Sequence, residues 1–252
     1  MTSKIALITG ASRGLGRNSA LHLAARGVDI IFTYRQGKPE ADTLLAELQA
    51  IGVQAAALQL DMERISSFTD FAKAVQQALR AHWQREQFDF LVNNAGMGVH
   101  ASFADTTEAQ FDQLCNVHLK GVFFLTQKLL PLIADGGRIL NVSSGLARFA
   151  LPGYAAYATM KGGIEVLTRY LAKELGPRRI AVNVLAPGAI ETDFGGGAVR
   201  DNAELNSFVA AQTALGRVGL PDDIGKLVAM LLSSDAGWVN AQRIEASGGM
   251  FL

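Results

Sequence analysis

A tyrosine and a lysine, Tyr157 and Lys161, stand four residues apart in the sequence. Side chains at this spacing share one face of a helix, so the lysine ammonium can lie beside the phenol. A phenol ionises near pH ~10 and needs a pKa about three units lower to transfer protons near neutrality. A cation at ~4 Å supplies roughly that shift at an effective dielectric constant of ~20. The pair therefore predicts acid/base chemistry at Tyr157, with Lys161 as a sufficient perturber of its pKa.

The same spacing occurs often by chance, so the rest of the chain must decide between chemistry and coincidence. A strand-like run over residues 138–142 leads directly into Ser143 and Ser144. Either serine offers a hydroxyl upstream of Tyr157, where it could join the phenol at one substrate oxygen.

A glycine-rich turn, residues 9–16, lies between the first predicted strand and the first predicted helix. Its spacing, G-x-x-x-G-x-G, is a relative of the dinucleotide-binding fingerprint. Such glycines let the backbone approach a pyrophosphate, which the free N–H groups of the helix N-terminus then bind. An ordinary glycine-rich loop is the alternative in a chain with 26 glycines, but the position after the first strand favours a cofactor. The residues expected to contact it are Gly10, Ser12, Arg13, Gly14, Leu15 and Gly16.

The end of the second predicted strand indicates which dinucleotide binds. A protein that binds NAD places a carboxylate there for the ribose 2′-hydroxyl, whereas this strand ends in Tyr34 and Arg35. Arg13, inside the glycine turn, adds a second guanidinium, and two such groups suit a 2′-phosphate. We therefore expect NADP(H) as the cofactor. The alternative interpretation of Arg35 is a solvated charge at the strand end.

Composition argues against several classes of function. The 252 residues carry a formal net charge of +0, which disfavours a general electrostatic attraction to nucleic acid or an anionic membrane. Cys115 is the only cysteine and the four histidines lie far apart, so neither a disulfide nor a metal site is expected. No apolar run reaches the length of a signal-peptide core or a membrane span. We expect a cytoplasmic protein.

Short apolar or β-branched runs alternate with longer helical patterns along the chain. This alternation predicts an α/β fold with a parallel, doubly wound sheet, whose ligands bind at the carboxyl ends of the strands. The composition, 49% apolar and 18% charged, fits a sheet that helices cover on both faces. The predicted strands are residues 5–9, 29–34, 53–60, 88–92, 138–142, 180–185 and 243–245. The predicted helices are residues 15–26, 40–51, 66–83, 111–133, 155–175 and 221–232.

Together these motifs resemble the short-chain dehydrogenase/reductase family, especially the branch with 3-oxoacyl-carrier-protein reductases and related carbonyl and alcohol dehydrogenases. The resemblance extends from Thr9 to Gly249 and depends on motifs in a fixed order. They are the glycine turn, Asp61, Asn93-Asn94-Ala95-Gly96, Asn116, Ser144, Tyr157 with Lys161, and Pro187-Gly188. The resemblance implies one Rossmann-type domain, residues 1–252, with a mostly parallel seven-stranded sheet.

In the mechanism that the resemblance implies, hydride passes between a nicotinamide and a carbonyl or alcohol carbon, while Tyr157 exchanges a proton with the oxygen. Ser144 hydrogen-bonds that oxygen, and Lys161 lowers the pKa of Tyr157 and binds the nicotinamide ribose. Ser144 is preferred to Ser143, which is interpreted as a structural hydroxyl, because the family separates its serine and tyrosine by thirteen residues. Asn116 would fix a helix kink and a water that links Lys161 to solvent.

The resemblance also implies the remaining cofactor contacts. Asp61, with the Met62 backbone beside it, would accept a hydrogen bond from the adenine amino group. Outside the glycine turn, the full set of implied cofactor-binding residues is Tyr34, Arg35, Asp61, Met62, Asn93, Ala95, Gly96, Tyr157, Lys161, Pro187, Gly188, Ile190 and Thr192.

Residues 191–216 form a long glycine-containing segment that we interpret as a lid over the substrate. The alternative is a structural pair of helices over the sheet. By family position, an apolar lining favours an apolar or aromatic substituent on the ketone. Arg148 would be either a partner for an anionic group or a rim charge. The expected substrate-binding residues are Ser144, Leu146, Phe149, Tyr154 and Phe194, with Met97 nearby.

The leading hypothesis is an NADP(H)-dependent oxidoreductase that acts on a ketone or a secondary alcohol. The second is a 3-oxoacyl thioester reductase whose substrate is carried by acyl-carrier protein or coenzyme A. The third belongs to another class, a non-catalytic NADP(H)-sensing regulator. The apolar run over residues 121–125, together with family habit, predicts a homotetramer. Docking of an acidic carrier would use a basic surface, for which the candidates are Arg148, Arg169, Lys173, Arg178 and Arg179.

Overall fold

The computed structural model describes residues 3–252 and contains a seven-stranded sheet. Its strands are β1 (Ile5–Ile8), β2 (Asp29–Tyr34), β3 (Ala55–Gln59), β4 (Phe88–Asn93), β5 (Ile133–Val142), β6 (Ala181–Pro187) and β7 (Arg243–Ala246). They lie in the order β3-β2-β1-β4-β5-β6-β7, and every neighbouring pair is parallel. The predicted doubly wound fold is confirmed, and the strand order reverses between β1 and β4, where such sheets bind ligands.

Helices cover both faces of the sheet. They are α1 (Gly14–Ala24), α2 (Lys38–Ile51), α3 (Phe68–Ala78), α4 (Glu108–Cys115), α5 (Gly121–Leu129), α6 (Ala155–Glu174), α7 (Ala198–Asp201), α8 (Ala203–Ala211) and α9 (Pro221–Leu231). Alternate residues of β1 point to opposite faces, and all four are fully buried. Ile5 and Leu7 pack in the core beneath α3, α5 and α6, whereas Ala6 and Ile8 pack beneath α1, α2 and α9. A strand covered on both faces explains the continuous apolar runs in the sequence.

Two predicted elements differ from the structure. The helix predicted over residues 111–133 is divided into α4 and α5 by a π-helical turn, Asn116–Lys120, and α4 begins with the Thr107–Gln110 capping box. β5 starts at Ile133 rather than residue 138, because residues 134–137 bulge out opposite Asp89. The bulge contains an Asp-Gly-Gly sequence that is typical of a turn, so the pattern hid the early start of the strand.

A chain of buried polar side chains fixes the carboxyl ends of β4 and β5 against the helices. Asn93 Nδ2 donates to Asn141 Oδ1 at 2.8 Å and to Thr126 Oγ1 on α5 at 3.0 Å. Asn141 Nδ2 in turn donates to Thr168 Oγ1 on α6 at 2.9 Å. All four residues are buried. Losing one of these hydrogen bonds would leave a buried polar group without a partner, which is costly. The hydrogen bonds therefore hold both strand ends at fixed positions relative to α5 and α6.

Among the helices that the structure describes, none is both long enough and apolar enough to cross a bilayer.

Replacing Thr168 by valine removes the acceptor for Asn141 Nδ2 and nearly conserves side-chain shape. Because the amide is left buried without a partner, we expect the free energy of unfolding to fall by about 1–3 kcal/mol. The matched control is Thr159→Val on the same helix, where the exposed hydroxyl bonds only the carbonyl one turn back and the change should stay within about 0.5 kcal/mol. Urea denaturation of both variants measures the difference. Equal stabilities of the two would contradict a positioning role for the polar chain.

Candidate active site

Ser144, Tyr157 and Lys161 meet at the carboxyl end of β5 and the first turns of α6. Tyr157 and Lys161 lie on one face of α6, as their spacing predicts, with only 6% and 5% of their surfaces exposed. Lys161 Nζ lies 5.5 Å from the centroid of the Tyr157 ring. The Ser144 hydroxyl lies close enough to the Tyr157 phenol to lower its pKa. A hydroxyl, a phenol and a cation are therefore grouped in one buried site.

The two adjacent serines have different environments. Ser143 Oγ donates to Glu165 Oε1 at 2.8 Å, and Arg243 Nε donates to the same carboxylate oxygen at 2.8 Å, so Ser143 belongs to a structural network. Ser144 Oγ accepts from the N–H of Leu146 at 3.2 Å, where Ser144 caps a short 3₁₀ turn. That bond fixes the side chain of Ser144 while its own O–H is free to face Tyr157.

Burial dominates the electrostatics of the pair. It raises the pKa of Tyr157 above its ordinary value, and the hydrogen bond with Ser144 lowers it by less. Burial also lowers the pKa of Lys161 to about 7, and the ammonium donates to the Val142 carbonyl at 2.8 Å. The prediction that Lys161 by itself lowers the pKa of Tyr157 is therefore wrong for this structure. The pattern gave the spacing of the two groups but not the loss of solvent around both.

Asn116 opens the π-helical turn, which packs against α6. Its predicted role, in a helix kink and a water that links Lys161 to solvent, stays a prediction. The residue that the turn presents to the site is His118, which is 1% exposed. Its ring meets that of Tyr157 edge to face, with centroids 5.1 Å apart. The extra residue of a π-helical turn changes which side chain faces inward, and helical periodicity cannot show this.

The predicted glycine turn is fastened to the segment that follows β4. Thr9 Oγ1 accepts from the N–H groups of Asn94 and Ala95 at 3.0 Å each. Asn94 Nδ2 donates to the carbonyls of Thr9 at 2.9 Å and Gly10 at 3.1 Å. Gly10 has φ +63°, and a Cβ there would lie 2.8 Å from Ala95 Cα. The turn is therefore rigid and open to a ligand on its outer side.

The first turn of α1 has free N–H groups. Its N-cap residue, Arg13, makes no side-chain capping bond. Thr192 lies across from Gly14, near the start of this helix. Unfilled N–H groups at the end of an 11-residue helix attract an anion, so the turn fits the pyrophosphate of a dinucleotide.

The adenine side contains a carboxylate that the sequence analysis missed. Arg35, at the end of β2, donates to Glu63 Oε1 at 3.2 Å, and both side chains are partly exposed. Asp61 Oδ1 accepts from the N–H of Glu63 at 3.0 Å, which leaves its second oxygen for a ligand. Glu63 follows β3, so only the sheet order places it beside the end of β2. Arg13 and Arg35 remain suitable for a 2′-phosphate, but Glu63 competes for Arg35.

The other predicted cofactor residues lie along the same edge of the sheet. Pro187 ends β6, and Ile190 pairs with Gly219 in the segment after it. The other predicted cofactor residues at or near this edge are Ser12, Leu15, Gly16, Tyr34, Met62, Asn93, Gly96 and Gly188. Within residues 3–252 no three metal-binding side chains are grouped.

Apolar residues surround the Tyr157 phenol. Met97 and Leu146 pack in the cluster around Tyr157. The Phe194 ring lies 5.8 Å from that of Tyr157, between centroids. Tyr154 stacks edge to face on His100 at 5.0 Å. These side chains form one apolar wall beside the Tyr157 hydroxyl.

Two predicted substrate residues belong to a different cluster. The Phe149 ring lies 5.0 Å from Phe251 and packs with the lid residues rather than with Tyr157. Arg148 binds Glu245 through two hydrogen bonds of 2.7 and 2.6 Å and donates to the Met250 carbonyl at 2.8 Å. It is therefore neither free to bind an anionic substrate nor a loose rim charge. Its partners come from the end of the chain, which spacing alone could not bring to residue 148.

Protonation of Lys161 should make the stability of the cofactor-free protein depend on pH. Its folded pKa of about 7 lies below its ordinary value of 10.5. The unfolded chain therefore binds more protons between these values, and the free energy of unfolding rises with pH through this range. From pH 7 to pH 9 the rise should be about 2 kcal/mol larger for the wild type than for Lys161→Met. Urea denaturation at both pH values measures this rise in the free energy of unfolding. An equal rise in the two proteins would contradict a lowered pKa of Lys161 in the folded protein.

Comparison with known proteins reveals relatives along nearly the whole chain. Residues 10–251 match the family model described as enoyl-(acyl carrier protein) reductase. Tetrahydroxynaphthalene reductase PfmaG of Pestalotiopsis fici is 37% identical over 257 residues, which cover 98% of this chain and 91% of that protein.

Solved structures share the fold. The promiscuous reductase LugOII, which catalyses keto-reduction at C1 during lugdunomycin biosynthesis, has a TM-score of 0.94 and 36% identity, covering 100% of this chain and 99% of that one. The landomycin C-6 ketoreductase LanV with bound NADP and rabelomycin has a TM-score of 0.90 and 34% identity, covering 99% and 97%. Because family model, relatives and site geometry agree over this length, the protein belongs to the short-chain dehydrogenase/reductase family of oxidoreductases.

Proposed function

We propose that the protein is an NADP(H)-dependent carbonyl reductase in which Tyr157 is the proton donor. The observation that carries the proposal is the grouping of Ser144, Tyr157 and Lys161 at the carboxyl end of β5, where the phenol and the ammonium are buried. When bound, the nicotinamide would supply hydride to the carbonyl carbon. Ser144 would hold the carbonyl oxygen, and Tyr157 would protonate it.

The electrostatics of the site suit Tyr157 as a proton donor. A proton donor must be protonated before the reaction, and burial keeps the pKa of Tyr157 high. An alkoxide that forms beside the phenol is far more basic than a phenolate, so the proton moves to the substrate oxygen. Lys161, with two N–H groups left after its bond to Val142, can then stabilise the phenolate that remains.

NADP(H) is supported by the charges at the end of β2. Arg35 stands where a carboxylate would bind the ribose 2′-hydroxyl of NAD, and Arg13 adds a second guanidinium. LanV, at 34% identity, was solved with bound NADP.

For the substrate we propose a fused aromatic ketone or a polyphenol in its keto form. Met97, Leu146 and Phe194 offer an apolar wall next to Tyr157. The relatives named above are, by name, a tetrahydroxynaphthalene reductase, a reductase for keto-reduction at C1 in lugdunomycin biosynthesis and a landomycin C-6 ketoreductase. Residues 191–216 would form a lid, in which Phe194 contacts Tyr157 and three glycines, 195–197, have positive φ values that permit a hinge.

A 3-oxoacyl thioester is the second candidate, because the matching family model is described by an acyl-carrier-protein reductase. The basic surface is smaller than its sequence candidates imply. Arg148 is bound to Glu245, and Arg178 donates to Asp135 and to backbone carbonyls. Only Arg169, Lys173 and Arg179 are left for a carrier.

We also propose a homotetramer assembled through α5 and α6. Phe123 on α5 is 45% exposed, and Tyr170 on α6 is 65% exposed. Val166 and Phe111 add further exposed apolar surface on the same side of the fold. Apolar side chains of this size are normally covered, and a second copy of the chain would cover them.

A rate panel tests the function and the substrate class together. Hydroxynaphthalenone and tetralone ketones, acetoacetyl thioesters and secondary alcohols are assayed with NADPH, NADH, NADP and NAD. We expect the highest kcat/KM for an aromatic ketone with NADPH. A preference for the thioester would support the second candidate, and tight NADPH binding without turnover of any substrate would support the regulator.

Loss of the Tyr157 hydroxyl should remove the chemistry and spare the cofactor. We expect Tyr157→Phe to lower kcat by about 10²–10⁴-fold, the usual contribution of a positioned acid. The NADPH Kd should change by less than about tenfold, the value of one hydrogen bond. The matched control is Tyr170→Phe on the exposed face of α6, which should keep full activity. Substantial turnover by Tyr157→Phe would sink the proposed acid role.

Cofactor choice should depend on the competition between Glu63 and a 2′-phosphate for Arg35. We expect Arg35→Ala to raise the NADPH Kd by about 10- to 100-fold and to leave the NADH Kd unchanged. Glu63→Gln frees Arg35 from an exposed ion pair, so the NADPH Kd should fall by up to about fivefold. Cofactor fluorescence measures both, with the distant Arg80→Ala as control. A weaker NADPH affinity in Glu63→Gln would contradict the competition.

The tetramer predicts a solution mass of four times 26.8 kDa by light scattering at micromolar concentration. The double variant Phe123→Glu/Tyr170→Glu should dissociate, because it buries two charges in the proposed contact. Ile51→Glu at the end of α2, where the side chain is also 45% exposed, serves as the control and should keep the wild-type mass. A monomeric wild type rejects the assembly.

A further inference from the structure

The buried imidazole of His118 contacts the proposed acid directly. Its ring stands at 85° to the Tyr157 ring, with 5.1 Å between centroids, and only 1% of the residue is exposed. An edge-to-face contact of this kind restricts the tilt of both rings. His118 therefore packs against the Tyr157 ring on the side that faces away from the proposed substrate.

One hydrogen bond sets the tautomer of this imidazole. Nε2 lies 2.7 Å from the Met97 carbonyl oxygen, and the Met97 N–H points at the same nitrogen at 3.2 Å. Only one of these contacts can be a hydrogen bond. A carbonyl oxygen at 2.7 Å requires a proton on Nε2, which donates to it, and in that tautomer the Met97 N–H cannot donate to Nε2. Burial, and then the charge of Lys161, hold the pKa of His118 well below its ordinary value, which agrees with a neutral ring. The bond joins His118 to Met97, a residue of the apolar wall.

The other ring nitrogen makes no hydrogen bond to the part of the protein that the structure describes. In the neutral ring Nδ1 is an acceptor, and within residues 3–252 it is buried without a partner. Such a group costs about 1–3 kcal/mol, a cost that an apolar residue of similar size would avoid. The fold also leaves room for the ring, because a Cβ on Gly96 would lie 2.8 Å from His118 Cε1.

We propose that His118 is a positioning residue for the proton transfer: its ring fixes the orientation of Tyr157, and its Nε2–H fixes the Met97 carbonyl beside the substrate. The proposal depends on the proposed reductase function. It gives the π-helical turn a second role beside the one that the family resemblance implies for Asn116. Displacing a reacting group by about 1 Å can cost roughly 10²-fold in rate, so an indirect role of this kind is measurable.

Two substitutions separate positioning from packing. His118→Asn keeps one donor and one acceptor, whereas His118→Leu keeps apolar volume and has neither. We expect His118→Leu to lower kcat by about 10- to 100-fold with the NADPH Kd unchanged, and His118→Asn to recover most of the loss. The controls are His82→Leu and His82→Asn, at an exposed histidine far along the chain, which should match the wild type.

A second readout does not depend on turnover. Nitrogen-15 NMR of the cofactor-free wild type at pH 7, with His118 assigned by its absence in His118→Asn, should show a protonated Nε2 and an unprotonated Nδ1. This measurement decides the tautomer even if His118→Leu does not fold or if the substrate panel yields no turnover, an outcome that would reject the reductase function alone.

Three results would overturn the proposal. They are wild-type kcat in His118→Leu, equal losses in His118→Leu and His118→Asn, and a doubly protonated imidazole at pH 7. The expected pattern, a loss in kcat that asparagine rescues without a change in cofactor affinity, is one that a purely structural histidine would not produce.

Discussion

The site depends on the hydrogen bonds that join the glycine turn after β1 to the segment after β4. Thr9 and Asn94 exchange side-chain and backbone bonds across the point where the strand order reverses. β1 and β4 are far apart in sequence and become neighbours only in the folded sheet. These bonds therefore depend on the sheet topology, and they fix the shape of the glycine turn. The glycine turn and the start of α1 take their positions from this junction.

Burial is the second constraint, and it disfavours the charged forms of both Tyr157 and Lys161. The removal of water favours the neutral forms of Tyr157 and Lys161, so the phenol retains its proton until a basic oxygen approaches. If water surrounded these groups, the pKa of Tyr157 would return towards the ordinary value of a tyrosine.

Sequence patterns predicted the sheet, its parallel strands and the face shared by Tyr157 and Lys161, because these follow from periods of two and 3.6 residues. They did not predict Glu63 beside Arg35, which needs the order of strands, or His118 against Tyr157, which needs the extra residue of a π-helical turn. They did not predict the ion pair of Arg148 either, because its partner Glu245 lies 97 residues away. The errors lie where three-dimensional proximity, rather than local spacing, decides what a side chain touches.

The end of the chain is joined to residues 191–216, the segment that we propose as a lid. The N–H groups of Ala214 and Leu215 donate to the carbonyls of Gly249 and Gly248, and the N–H of Phe251 donates to Gln212. Arg148 holds the same tail to the loop after β5. Lid and tail therefore form one structural unit despite their separation in sequence. A chimera that takes the lid of a related reductase without its tail would break both connections, so changes of substrate range are best transferred by exchanging the two segments together.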